Sequence, residues 1–249
     1  MIHKSLQLLH KTLISYPSIV TNYFDKWGIR PENLITRLSD TNFHGGIESK
    51  IISIHNLPSK KYSTTLDIGP ETGIEIFLLS EISAHLQVAD PDEDNLILLK
   101  SITDKALPIY SKNIKYIPCG LDNSHTYLAE NSYYTQLKKI QKNSIPTFYH
   151  LTSTSELANL DSKFDLIYIH KIISTISRSQ KTPANSIFHK SLDTLFTKLN
   201  KKGIISWTEP KFFWDQQKLT IPDKYKTKVI DYQLSNTADN YRQLLITHD

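Results

Sequence analysis

Apolar residues recur at three- and four-residue spacing at Ile2, Leu6, Leu9 and Leu13, which predicts a short amphipathic helix ending before Pro17. A second helical region runs from Ser18 to Ile54, carries Tyr23, Phe24 and Trp27, and is broken at Gly28 and Pro31 and again at His44-Gly45-Gly46. After a break at Asn56 to Ser59 the period changes. Thr64 to Ile68 read as a strand, Gly69 to Gly73 as a tight turn, Ile74 to His85 as a helix and Leu86 to Ala89 as a second strand. A strand, turn, helix and strand of this length form a parallel unit with a right-handed crossover. Asp92 to Lys105 is again helical, whereas Leu107 to Glu130, with Pro108, Pro118 and Gly120, lacks a period and reads as an insertion. Further on come a helix at Tyr133 to Lys142, an extended run at Ile145 to Leu151, a polar helix from about Ser153 and a strand at Phe164 to Ile169. Ile187 to Leu199 is a helix stopped by Asn200 to Gly203, Ile204 to Trp207 the next strand, and Tyr225 to Leu234 with Tyr241 to Thr247 a terminal hairpin.

This division gives an N-terminal helical cap over residues 1–58 and an α/β domain over 59–249, with the insertion at about 107–130. The 249 residues suffice for one core, and 39% apolar with 22% charged composition is that of a globular chain. A lone cysteine, Cys119, excludes a disulfide framework and a cysteine-rich zinc site, and no metal is expected; it points to a reducing, cytoplasmic setting. The opening stretch is interrupted by His3, Lys4, Gln7, His10 and Lys11, and no later stretch approaches about 18 uninterrupted apolar residues, so neither a signal peptide nor a membrane helix is predicted. The net charge of +4 is small against 29 basic and 25 acidic residues and is no nucleic-acid signature.

The segment with most chemistry is Asp67-Ile68-Gly69-Pro70-Glu71-Thr72-Gly73, at the end of the first sheet strand and the start of a helix. Glycines let backbone pass close to a bound nucleoside, and a helix N-terminus offers unpaired amides. Val88-Ala89-Asp90-Pro91-Asp92 ends the second strand in a carboxylate, at the separation expected of an acid that accepts both ribose hydroxyls. The turn lacks the Gly-Lys-Ser/Thr ending of a triphosphate loop, and Pro70-Glu71 leaves no room for a pyrophosphate.

On these residues the chain resembles the class I S-adenosylmethionine-dependent methyltransferases, whose first motif is an acid followed by alternating glycines and whose second strand ends in an acid. Phe164 to His170 is similar to the family's fourth-strand motif, Leu192 to Trp207 to its helix and fifth strand, and the terminal hairpin to its antiparallel seventh strand. The resemblance covers about Lys61 to Asp249 apart from the insertion. It implies a three-layer Rossmann-like α/β fold with a seven-stranded, mostly parallel sheet and S-adenosylmethionine as cofactor. By the same resemblance Asp67 would orient the turn and the methionine ammonium, Gly69, Pro70, Glu71 and Gly73 would border the cofactor, Asp90 would hold the ribose, and Pro91 and Asp92 would flank the adenine. Ser153 would face the adenine if Ile145 to Leu151 is the third strand, the reading favoured here; Ile114 to Pro118 followed by Asp122 is the alternative. One position departs from the pattern. Glu71 replaces the middle glycine, and its carboxylate would pair with the ammonium yet repel the cofactor's own carboxylate. A catalytically inactive binding or scaffold protein of the same fold is therefore the second reading.

For the acceptor, His170 and Lys171 follow the fourth strand and Glu209 the fifth, at the carboxyl edge where ligands of such sheets sit. His170 is the candidate catalytic group and also borders the cofactor; a strand-capping or core role is the plain alternative. Tyr23, Trp27 and His44, with Tyr16, Phe24 and Phe43, would form an acceptor pocket or simply pack the cap, and Phe212, Phe213 and Trp214 would line the site or cover the sheet. The expected substrate is a small molecule methylated on nitrogen or oxygen. Nucleic acid ranks below it, because lysine pairs are dispersed and Ile169-His170-Lys171-Ile172 lacks the Asn-Pro-Pro-Tyr type of fourth motif. Apolar positions on the terminal hairpin would support a homodimer through an unpaired edge.

Overall fold

The computed structural model describes residues 47–70, 73–90, 92–117, 162–176, 183–234 and 239–248, with the single residues Ser15 and Leu157. The helix expected over Ile2 to Leu13, the cap residues Tyr16, Tyr23, Phe24, Trp27, Phe43 and His44, and Glu71, Pro91 and Ser153 lie outside the described residues, as do the segments Tyr133 to Lys142 and Ile145 to Leu151.

In chain order the described elements are α1 (Ile47–His55), β1 (Tyr62–Ile68), α2 (Ile74–Ile82), β2 (Ser83–Ala89), α3 (Glu93–Ala106), β3 (Ile114–Ile117), β4 (Phe164–His170), α4 (Ile172–Ile176), α5 (Ala184–Thr197), β5 (Leu199–Pro210), α6 (Lys211–Gln217), β6 (Lys226–Gln233) and β7 (Asn240–Thr247). The seven strands form one sheet in the order β3-β2-β1-β4-β5-β7-β6. β1 to β5 are parallel, and β7 runs antiparallel to both β5 and β6. Order reverses between β1 and β4, which opens a crevice at their carboxyl ends.

Two apolar layers sandwich the sheet. On one face Leu86, Val88, Leu166 and Leu245 pack with Ile54 of α1, Ile76 and Leu79 of α2 and Leu99 and Ile102 of α3. On the other, Ile68, Ile167, Ile169 and Leu244 pack with Phe188 and Leu192 of α5, Ile173 of α4 and Trp214 of α6. Phe188 meets Trp207 and Trp214 edge-on, with ring centroids 4.9 and 5.2 Å away. Central parallel strands are covered on both faces, and therefore read as continuous apolar runs such as Leu166 to Ile169.

Among the differences from the sequence reading, three come through pairing between strands distant in the chain. β2 begins at Ser83 rather than Leu86, because Ser83 pairs with Tyr62 and its hydroxyl lies 2.7 Å from that of Thr65. β5 begins at Leu199, taking in Asn200 to Gly203, because Leu199 pairs with Phe164 and the Asn200 amide donates to Asp165 at 2.7 Å. The third strand is Ile114–Ile117, paired with Leu86 to Ala89 of β2. This corrects the preference for Ile145 to Leu151 as the third strand and takes residues up to 117 out of the supposed insertion; Ser153 itself lies outside the described residues.

The hairpin of β6 and β7 carries a cross-strand pair in which Arg242 donates twice to Asp231, at 2.7 and 2.8 Å, with Lys211 at 2.9 Å. The Arg242 hydrogen bonds lead the forces that hold the Asp231 carboxyl down to about 2. A depressed carboxyl favours the folded state above its unfolded value and loses that contribution as pH falls through the folded one. Melting followed from pH 5 to pH 2 is expected to show a loss of stability that Asp231→Asn removes.

Candidate functional site

β1 delivers Asp67 to the carboxyl edge of the sheet, on the face shared by its register partners Val88 and Tyr168. The chain then turns through Gly69 and Gly73, both left-handed at φ 68° and 77°. Gly69 donates its amide to Ala89 and Gly73 to Pro70, each at 2.8 Å. A Cβ on Gly69 would lie 2.2 Å from Ile172 Cδ1, and one on Gly73 2.4 Å from Leu99 Cδ2, so conformation and space both require glycine here.

Around this turn the acids differ in what they hold. Asp67 is 1% exposed, and its buried Oδ2 has no hydrogen-bond partner among the described residues. Burial first, then the charge of Glu75, push its carboxyl well above the ordinary range, with Lys50 pulling the other way. Asp90, at the end of β2, accepts from the Asp92 amide at 2.8 Å and from the Asn95 side chain at 3.0 Å. Asp92 caps α3, accepting from the Asn95 amide at 3.1 Å. An expected neighbour of the adenine thus serves the helix that starts beside it.

His170 ends β4 on the same face as Asp67. Its Nε2 lies 2.7 Å from Ser49 Oγ, its ring stacks at 6.0 Å on Tyr241, and its buried Nδ1 has no partner among the described residues. Burial above all, with Lys50 and Lys171 adding, keeps its pKa well below the usual histidine range, so the ring is neutral at pH 7. Lys171 follows with a left-handed φ of 55° and donates its amide to Thr208 at 2.8 Å. The conformation turns the chain sharply from β4 into α4.

Glu209 belongs to β5 itself and is fully buried rather than a solvated loop acid. It accepts from the amides of Ile173 at 2.7 Å and Ser174 at 3.2 Å and from the Trp207 indole at 3.2 Å. This carboxylate therefore closes the N-terminus of α4. Phe213 and Trp214 are in the core, while Phe212 is exposed.

Two site residues escaped the sequence reading: Lys50 and Glu75. Helical period puts Ser49, Lys50 and Ser53 on one side of α1, a polar stripe that ordinarily faces water. Here that stripe is the buried side. Ser53 Oγ lies 2.6 Å from the Tyr168 hydroxyl, Gln243 donates to the Ser53 carbonyl at 2.7 Å, and Tyr232 donates to the Ser49 carbonyl at 3.0 Å. Lys50 reaches Glu75 Oε1 at 2.6 Å and the Pro70 carbonyl at 3.3 Å. The signal available in the sequence was a lysine set among isoleucines in Ile47–His55.

Among the described residues no group of three or more His, Cys, Asp or Glu side chains is arranged to hold a metal, and no helix is long and apolar enough to cross a membrane. A cavity of about 710 Å³ lined by Lys163, Phe196, Lys201, Lys224 and His248 opens at the opposite edge of the sheet, where β4 and β5 begin.

Strand order, the antiparallel seventh strand and the glycine turn after β1 define the class I methyltransferase fold. No family model matches the sequence, and no curated protein sequence does. Solved structures do match. The N-methyltransferase NodS from Bradyrhizobium japonicum WM9, in complex with S-adenosyl-L-homocysteine, is similar with a TM-score of 0.53 at 12% identity, over 86% of this chain and 91% of that one. A methyltransferase from Pyrococcus furiosus is similar with a TM-score of 0.52 at 11% identity, over 82% of this chain and 84% of that one. At these identities the likeness is one of fold.

Proposed function

We propose that the chain is an S-adenosylmethionine-dependent methyltransferase acting on nitrogen or oxygen of a small molecule. The observation that carries this is Asp67, a buried carboxylate with one oxygen lacking a donor among the described residues, beside a turn of two left-handed glycines. A ligand ammonium is the donor that such an oxygen lacks. The residues fit the cofactor: Asp67 would hold the ammonium, Asp90 the ribose hydroxyls, and Gly69 and Gly73 the approach of the chain. When bound, S-adenosylmethionine supplies an electrophilic methyl on sulfur.

The protein's own contribution is largely alignment of the acceptor with that methyl, for which about 7–11 kcal/mol is available in favourable cases. If its Nε2 donates to Ser49, neutral His170 offers Nδ1 as a hydrogen-bond acceptor, while Ser49 and Tyr241 fix its ring. Enclosure supports a compact acceptor, since His170 is only 2% exposed. Lys163, Lys201 and Lys224 gather around the cavity at the other edge of the sheet.

Calorimetry of the full chain with S-adenosylmethionine and with S-adenosylhomocysteine tests the reading. Micromolar binding is expected, weakened about tenfold or more by Asp90→Ala in a protein that still unfolds cooperatively. Amines, phenols and carboxylates are then the acceptors to assay. No heat at millimolar ligand would instead favour a non-catalytic binding protein.

A further inference from the structure

We propose that Lys50 is the positioning residue of the cofactor turn: from α1, outside the β1–α2–β2 unit, its ammonium ties the Pro70 carbonyl to Glu75 and leaves Asp67 Oδ2 to the incoming ammonium. For its ligand the proposal rests on the cofactor reading; for the turn it does not.

Lys50 is fully buried and Glu75 is 1% exposed, with 2.6 Å between their charges. Such a pair contributes little net stability compared with apolar side chains of the same volume, so packing alone does not call for it. What it supplies is geometry. The turn's glycines have no side chains by which to be held, and Lys50 reaches its Pro70 carbonyl from above at 3.3 Å. α1 is itself fixed from below by Tyr168, Tyr232 and Gln243, so the lysine starts from a rigid base. The same ammonium acts on both functional side chains at this edge: its charge lowers the pKa of Asp67, favouring the carboxylate, and lowers that of His170, favouring the neutral ring. Glu75 occupies Lys50. Without it, the ammonium would turn to Asp67 and compete with the ligand.

Two variants separate these roles. In K50M/E75Q both buried charges go together, the case in which folding is best preserved. Amide hydrogen exchange over residues 66–78 is expected to quicken about tenfold relative to the rest of the sheet. In E75Q the ammonium turns from Glu75 to Asp67, so affinity for S-adenosylhomocysteine is expected to drop about tenfold in a protein that still unfolds cooperatively, while exchange over residues 66–78 stays slower than in K50M/E75Q. A merely structural lysine would not produce that split. Unchanged exchange in a folded K50M/E75Q overturns the proposal; if that variant does not fold, unchanged affinity in E75Q overturns it. Should the natural protein bind no S-adenosylhomocysteine at millimolar concentration, the cofactor reading falls, and the exchange comparison alone decides for or against Lys50.

Discussion

Asp67→Asn is expected to weaken binding of S-adenosylhomocysteine about 100-fold, the equivalent of about 2.7 kcal/mol, while leaving the free protein as stable as before or more so. The two effects have opposite signs for one reason. A carboxylate whose buried Oδ2 has no donor among the described residues is poised for a cation and ill-suited to the empty fold. In the unfolded chain it titrates near the ordinary 3.8, and burial with Glu75 raises it well above that in the native state. Between those values the native protein holds more protons than the unfolded one, so stability declines as pH rises through the window. Asparagine keeps the shape and removes that decline. Lys50 retains Glu75 as its partner, so no new lone charge is left in the core. Melting curves from pH 4 to pH 8 beside calorimetry give both halves, and a lower melting temperature with unchanged affinity would sink the assignment.

Glu209→Ala is expected to cost about 3 kcal/mol or more of folding stability, a large share of the 5–15 kcal/mol typical of a domain. The loss would come from three buried donors, the amides of Ile173 and Ser174 and the Trp207 indole, which share this one carboxylate. Glu209→Gln keeps an acceptor and should cost about half as much. Denaturant unfolding measures both. If alanine were neutral there, the carboxylate would not be what closes α4, and the acceptor role inferred from its place at the end of the fifth strand would regain its force.

How much of this was legible depended on whether the deciding contact was local. The run Thr64 to Gly73 gave strand, turn and helix start because β-forming residues, glycines and a change of period lie next to each other. The hairpin showed itself by alternation, and the structure moves each of its ends by a single residue or less. Long-range pairing was invisible by comparison. Ile114–Ile117 has four residues, none of them buried, and offers less apolar signal than Ile145 to Leu151, yet its register with β2 makes it the third strand. Glu209 was placed beyond its strand because the pattern faded after Trp207, where the buried positions turn polar at Thr208 and Glu209. Lys50 and Glu75 were hidden more thoroughly. A lysine in a polar helical stripe and an acid in a first helical turn each have an ordinary solvent-facing explanation, and only their meeting across 25 positions of chain makes them part of the site.

The anchoring of α1 also bears on the order in which the molecule is assembled. Ser49 and Ser53 are held by Tyr232 and Gln243, at separations of 183 and 190 residues, in the last two strands of the sheet. A ribosome releases those strands long after the glycine turn has emerged. Until they arrive, the base that steadies Lys50 has only Tyr168 of β4, and loop closure over such a span makes its completion slow. The nascent protein therefore carries every residue of its glycine turn before the strands that anchor α1 have emerged, and the turn takes its final setting only once β6 and β7 join the sheet.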